Sequence, residues 1–153
     1  MKIIIITLLI FATVCSAHAR IMSGWLYKDL YEQADLVIIA KPVSTQATTE
    51  KTTLPNIAPD IHVVGLSTEV EISVVMKGDK NLKKATLHHY RLADPDNPYV
   101  LPGVDPALVT FDPKQKTQFL MFLRLEKDGR YAPVSGQTDP AKFSVLKLDG
   151  WAQ

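Results

Sequence analysis

Five side chains of the types that bind metal ions are concentrated around two irregular stretches of the chain: His62, His88, His89, Asp94 and Asp96. Imidazole and carboxylate groups together bind zinc or copper. Because His88 and His89 are consecutive in a predicted strand, their side chains point to opposite faces, and at most one of them joins His62 directly. No spacing matches HExxH or a paired-histidine motif. A zinc or copper site is therefore one interpretation, and exposed or hydrogen-bonded histidines are the other.

Other catalytic signatures are absent from the sequence. It contains no GxSxG, no Walker-type loop, no GxGxxG and no cysteine–histidine pairing. The run from Asp94 to Asn97 lacks the glycine and the terminal glutamate of a calcium loop. Glu69 and Glu71 share the outward face of a predicted strand, where carboxylates are usually solvated charges. These absences favour a protein that is not an enzyme.

The first nineteen residues have the pattern of a secretory signal peptide. Lys2 supplies a short positive region, and the segment Ile3–Val14 is almost wholly apolar. Ala17 and Ala19 are the small residues expected before a cleavage site at Arg20. The apolar run is short for a permanent membrane anchor, which needs about 20 residues. We expect cleavage after Ala19 and a secreted or periplasmic protein.

Cleavage at this point would leave residues 20–153 as a single domain. Cys15, the one cysteine of the chain, would be lost with the signal peptide, so packing rather than disulfides must stabilise the fold. The loss of Lys2 leaves 16 basic and 16 acidic residues. This neutral balance gives no electrostatic case for nucleic acid, and no later apolar run could span a membrane.

The most regular stretch is Ser67–Asp79, in which Thr68, Val70, Ile72, Val74 and Met76 share one parity. A period of two predicts a strand with one face on a core and one face in water. Further strands are predicted at Leu36–Ala40, Ala85–Leu92, Phe119–Leu123 and Tyr131–Val134, with a last extended piece near Val145. A short helix over Trp25–Ala34, capped by Ser23, is expected to cover the Leu36–Ala40 strand.

These elements predict a mainly β fold: a small, OB-like barrel of five or six strands with one short N-terminal helix. Two long loops, Ser44–Gly65 and Ala93–Gln118, separate the strands. In a simple meander, these two connections leave from the same end of the sheet. We therefore expect a binding surface at one rim of the barrel.

Several segments together resemble a group of small secreted bacterial proteins: ADLVIIAKPVST, VEISVVMKGD, FLMFLRLEKDGRYAPVSGQTDP and FSVLKL. Their pattern is in turn similar to the OB-type barrel of tissue inhibitors of metalloproteinases and netrin-like modules. This second resemblance rests on Ala34–Val37 and Val74–Gly78. It implies the fold. The inhibitors bind the protease zinc through a mature N-terminal cysteine, which this chain lacks.

The sequence thus predicts a secreted, non-catalytic β-barrel that binds a protein or small-molecule ligand through the rim formed by its two long loops. The alternative is a small secreted metal-binding protein or metal-dependent enzyme that uses His62 with His88 or His89. A third hypothesis is an envelope or assembly component in which the Leu36–Val43 edge pairs with another chain.

Overall fold

A computed structural model of the protein describes residues 24–54, 61–95, 108–112, 117–136 and 142–148. These residues form one helix, α1 (Tyr27–Gln33), and six strands: β1 (Leu36–Thr53), β2 (His62–Lys77), β3 (Lys84–Leu92), β4 (Phe119–Leu125), β5 (Tyr131–Pro133) and β6 (Val145–Lys147). The predicted signal peptide lies outside them. No helix in the described part of the chain has the length and apolar character needed to cross a membrane.

The first five strands close into a barrel in the order β1, β2, β3, β5, β4, after which β4 returns to β1. Strand β6 pairs with the first half of β4, Phe119–Met121, whereas β5 pairs with its second half, Leu123–Leu125. The prediction of a small OB-like barrel is confirmed. The predicted meander is wrong, because β5 lies parallel to β3 through the pair Leu87–Tyr131 and thus separates β3 from β4. A short strand after a tight hairpin gives little sequence signal for this crossover.

The barrel interior is filled by alternate side chains of the strands. Its buried members are Leu36, Ile38, Ala40, Val70, Ile72, Ala85, Leu87, Met121, Leu123 and Val145. Helix α1 packs on the outside, where Leu30 and Ala34 contact Val37 and Phe122. Strand β1 is therefore covered on both faces at its start, as its unbroken apolar run predicts. Because Leu36–Ala40 also pairs with β4, the edge required by the assembly hypothesis is occupied there.

Helix α1 is shorter than predicted. It begins after Leu26, which has no side-chain capping bond and is 66% exposed. The predicted cap, Ser23, lies outside the described residues. Leu30 is the buried residue of the helix, and Ala34, one turn later and just after the helix end, is buried as well.

The alternating pattern of β2 is confirmed from Thr68 to Ile72 and wrong beyond. The pairing with β1 skips a residue between Ile72 and Val74, which is a β-bulge. The bulge reverses the parity, so Val75 packs against the core while Val74 and Met76 are each 47% exposed. A period of two cannot reveal such an inserted residue.

The predicted loop Ser44–Gly65 is mostly strand. Strand β1 continues to Thr53 and β2 begins at His62, so the two strands form one long hairpin with four register shifts. The threonines of this segment are β-branched and suit a strand. The shifts, however, break the alternation that would have identified it. Pro42 lies beside one of these shifts, where its missing N–H is tolerated.

The end of this hairpin where β1 finishes and β2 begins contacts the connection between β3 and β4. Leu54, Ile61 and Val63 form a buried cluster with Leu108, and Tyr90 packs against it. The described parts of the two connections therefore meet at one end of the barrel, as predicted. The first connection is mostly hairpin rather than loop.

Candidate functional site

A cluster of polar side chains lies on the outside of the barrel at the hairpin end. His88 and Tyr90 alternate on β3 and share its outer face, with their rings 4.9 Å apart. Glu50 reaches the cluster from β1. Glu126 and Arg130 reach it from the tight turn between β4 and β5. Three separate parts of the chain thus converge on one histidine.

The position of Glu50 is produced by the largest irregularity of the hairpin. Between Ala47 and Lys51, β1 has two more residues than the facing part of β2. Thr48 folds inward there and donates its hydroxyl to the carbonyl oxygen of Gly65 at 3.1 Å. The hydroxyl oxygen of Thr48 also accepts a hydrogen bond from the backbone N–H of Glu50 at 3.2 Å. The bulge thus turns the Glu50 side chain onto the face of β3.

The turn between β4 and β5 is the predicted Asp-Gly hairpin. Gly129 has a φ of +86°, and the N–H of Glu126 donates to the carbonyl of Arg130 at 2.8 Å. Asp128 accepts the backbone N–H and then the guanidinium of Arg130, and these bonds hold the pKa of its carboxyl below the ordinary value. Because β5 runs beside β3, this turn brings Glu126 and Arg130 next to His88.

His88 is 5% exposed and lies between two carboxylates. Its Nδ1 lies 2.7 Å from Oε2 of Glu126, with hydrogen-bond geometry. Its Nε2 lies 3.0 Å from Oε2 of Glu50, a contact that meets the distance of an ion pair but not the angles of a hydrogen bond. Both carboxylates are acceptors, so only the imidazolium, with N–H on both nitrogens, donates to both sides.

Tyr90 completes the cluster as a hydrogen-bond donor. Its hydroxyl donates to Oε1 of Glu50 at 2.5 Å. Burial, followed by the bond to Glu50 and the charges of Glu50 and Glu126, raises the pKa of Tyr90 far above its ordinary range. Tyr90 therefore stays a neutral phenol. Arg130 adds a cation 3.8 Å from Oε2 of Glu50.

This cluster does not have the geometry of a metal centre. The two carboxylates contact opposite nitrogens of one ring, so no single point lies within coordination distance of an imidazole nitrogen and both carboxylates. Within the described ranges, no group of three or more His, Cys, Asp or Glu side chains could hold a metal ion. Asp96 is outside those ranges. The zinc or copper site stays a prediction.

His89 points into the barrel, opposite His88, as predicted for consecutive residues of a strand. Its Nδ1 lies 2.8 Å from the carbonyl oxygen of Val109, and its Nε2 lies 2.7 Å from the hydroxyl of Thr68. Nδ1 therefore carries the proton, and Thr68 donates to Nε2. Burial lowers the pKa of His89 to about 4, so the ring is neutral near neutral pH. It serves the core by holding the 108–112 segment against the barrel.

His62 and Asp94, the other described residues among the predicted ligands, lie apart from this cluster. His62 is exposed at the start of β2, with its Nδ1 3.2 Å from the hydroxyl of Thr53. Asp94 is exposed just after β3. Glu69 and Glu71 face outward, as predicted, and pair with Lys84 and Lys41 at 2.8 and 3.0 Å. Of the predicted metal ligands that lie in the described ranges, His88 alone belongs to the cluster.

Sequence reasoning missed four members of the cluster: Glu50, Tyr90, Glu126 and Arg130. Part of the signal was available, because Tyr90 follows His88 by two residues and therefore shares its face. Glu126 and Arg130 flank the predicted Asp-Gly turn. Glu50 carried no signal, since its direction depends on a bulge within a segment predicted as loop.

No protein-family model matches this chain, and a search of curated proteins found no match either.

Proposed function

We propose that the protein is a non-catalytic binding module whose ligand contacts the outer face of β2 and β3 around His88 and Tyr90. One observation carries the proposal: three parts of the chain converge there on a nearly buried histidine. In OB-type barrels, the face of strands 2 and 3, bordered by the connections 1–2 and 4–5, is the usual binding surface. The cluster occupies the corresponding place in this barrel.

Tyr90 links this face to the rim that the sequence predicted as the binding surface. Its hydroxyl bonds to Glu50, while its ring packs against the cluster of Leu54, Ile61 and Leu108. The face and the described part of the rim are therefore continuous. A partner protein or a small molecule that reaches one can contact the other.

The charges of the cluster bear on the class of ligand. The cluster contains three carboxylates, those of Glu50, Glu126 and Asp128. Its cationic groups are Arg130 and, when protonated, His88. Such a surface gives no electrostatic attraction for the phosphates of nucleic acid. Glu50 and Glu126 remain about one third exposed, so they are accessible to hydrogen-bond donors of a ligand. A protein or small molecule rich in donors fits this face.

The proposal includes secretion, supported by the apolar run and the Ala17–Ala19 cleavage pattern of the N-terminus. Mass spectrometry of the native protein tests this point. A mature chain beginning at Arg20 agrees with it, and an intact Met1 or Lys2 contradicts it. The resemblance to metalloproteinase inhibitors is supported only at the level of an OB-like barrel, because Cys15, which would be lost with the signal peptide, is the only cysteine of the chain.

The binding face can be tested by capture of partners from the native secretome. The bait is the wild-type protein, compared with Tyr90→Phe and Glu50→Gln. Glu32→Gln is the matched control, because Glu32 is an exposed carboxylate on helix α1 that pairs with Lys28, outside the face of β2 and β3. We expect the same partner on wild type and control, and its loss on both cluster variants. Equal capture by all four proteins would rule out this face.

A further inference from the structure

His88 contacts side chains from two other parts of the fold. Glu50 belongs to the irregular end of the β1–β2 hairpin, His88 to β3, and Glu126 to the β4–β5 turn. Because His88 is only 5% exposed, bulk water does not easily replace a contact that its imidazole loses. The protonation state of the imidazole therefore affects how firmly the hairpin end is held.

The number of protons on the ring decides how many carboxylates it can bind. The imidazolium has two N–H donors, one for each carboxylate. Neutral imidazole has one N–H, and its other nitrogen presents a lone pair. One of the two carboxylates then faces a lone pair at about 3 Å, which is repulsive.

The two contacts differ, and this difference indicates which carboxylate is released. The Nδ1–Glu126 contact is the shorter one and has hydrogen-bond geometry, whereas the Nε2–Glu50 contact does not. A single remaining proton is therefore better placed on Nδ1. Glu50 also has another donor, the hydroxyl of Tyr90, and keeps that bond when it moves away from His88.

We propose that His88 is a proton-operated clasp on the end of the β1–β2 hairpin. With the imidazolium present, Glu50 is held and the hairpin end is fixed against β3. When the ring loses a proton, Glu126 stays bound through Nδ1–H and Glu50 is released. The clasp regulates the face described above, so its biological use rests on the proposed function, whereas its existence does not.

Other titratable or charged groups lie next to His88 on each neighbouring segment and form part of the same electrostatic network. They are Glu50 on β1, Tyr90 and His89 on β3, and Glu126, Asp128 and Arg130 on the β4–β5 turn. Tyr90 remains a neutral donor. Arg130, 3.8 Å from Glu50, limits how far the released carboxylate moves. These constraints predict local loosening of the hairpin end rather than unfolding.

The test is a pH titration of the free protein by NMR, with ¹⁵N detection of both ring nitrogens of His88. We expect both nitrogens to be protonated at the acidic end. After the proton is lost, Nδ1 should keep its hydrogen and Nε2 should show the shift of an unprotonated nitrogen. Amide exchange at Glu50–Thr53, corrected for intrinsic rates, should then rise by about tenfold, since a charge-assisted contact has been lost. A neutral ring protonated at Nε2 would overturn the proposal.

Two isosteric variants separate the two sides of the clasp. Glu50→Gln should abolish the exchange step, because the amide can turn its NH₂ toward an unprotonated Nε2 and its oxygen toward a protonated one. Glu126→Gln should preserve the step, because its oxygen still accepts from Nδ1–H. An unchanged step in Glu50→Gln contradicts the clasp. If that variant does not fold, the tautomer of the wild-type ring decides alone.

These measurements need no ligand. A missing titration step would therefore remove the clasp and leave the binding face to be judged by partner capture. Failure of capture would remove the binding face and leave the clasp as a property of the barrel.

Discussion

Gly65 lies directly against Glu50: a methyl group built on Gly65 would be 3.0 Å from Cβ of Glu50 and 2.6 Å from the hydroxyl of Thr48. These distances are too short for a side chain at this position, and its backbone conformation is not the left-handed one. The glycine is thus needed for space. It lets the bulge of β1 fold over β2 and place Glu50 on His88.

Gly65→Ala should therefore destabilise the protein and disturb the polar cluster. Overpacking of this kind costs roughly 1–3 kcal/mol. Urea denaturation measures the loss, and the ¹³C shift of the Glu50 carboxyl reports its displacement. Gly24→Ala is the control, because nothing lies within 4 Å of a methyl group there. Equal stability of both variants would contradict the steric role of Gly65.

The stability of the protein should fall on acidification because of His89. Its folded pKa is about 4, lowered by burial, whereas an unfolded histidine titrates near 6.5. Between these values the unfolded state binds more protons, so the free energy of unfolding decreases as pH falls from about 6.5 to about 4. The full effect is about 3 kcal/mol. Denaturant unfolding at several pH values measures it.

His89→Gln is the informative variant for this pH dependence. Glutamine keeps polar atoms for Thr68 and Val109 but cannot be protonated, so its stability should vary less over the same pH range. His62→Gln, at an exposed histidine, should keep the wild-type slope. If His89→Gln also keeps that slope, the pH dependence arises elsewhere.

Lys80 should protect the protein from self-association. Its ammonium group donates to the carbonyl oxygens of Val75 and Met76 at 2.8 and 2.9 Å. In the described part of the sheet, β3 pairs with β2 only as far as Glu71, so these carbonyls lie at an edge. Lys80→Met should leave this edge uncovered beside the exposed Val74 and Met76. Sedimentation velocity should then detect dimers or larger species at lower concentration than for the wild type.

The matched control for Lys80→Met is Lys83→Met, which removes the same charge at another exposed position. It should sediment as the wild type does. If both variants associate equally, net charge rather than edge protection is responsible.

The metal hypothesis can be tested by calorimetric titration with zinc and with copper. The opposed carboxylates around His88 and the distant placement of His62 lead us to expect no heat above dilution in the micromolar range. A saturable signal that disappears in His88→Gln would contradict this expectation and restore a metal site at the cluster.

Much of the fold could be predicted because the hydrophobic pattern is regular in three strands. Two of these strands are apolar runs, and the third alternates between apolar and polar residues. The runs beginning at Leu36 and Phe119 and the alternation from Thr68 to Ile72 identify three strands correctly. The Asp-Gly turn identifies the β4–β5 hairpin. In each case a local pattern of residues reflects a local structure.

The cluster could not be predicted, because its geometry depends on irregularities and on pairing between distant strands. The bulge at Thr48 and the close approach at Gly65 set the direction of Glu50, and neither has a periodic signature. The parallel pair Leu87–Tyr131 brings the β4–β5 turn beside His88. A one-residue slip in any of these pairings would separate the three parts of the cluster.

The seam between β1 and β4 has a consequence for the order of folding. It joins Leu36–Ala40 to Phe119–Leu123, segments separated by roughly 80 residues, whereas the β1–β2 hairpin closes locally. We expect the hairpin to form early and the seam to close after the rate-limiting step. Met121→Leu, on the β4 side of the seam, should then accelerate unfolding more than it slows refolding in stopped-flow experiments. If the folding nucleus includes this seam, the substitution should instead slow refolding more than it accelerates unfolding. Closure of the barrel would then precede the completion of its other strand pairs.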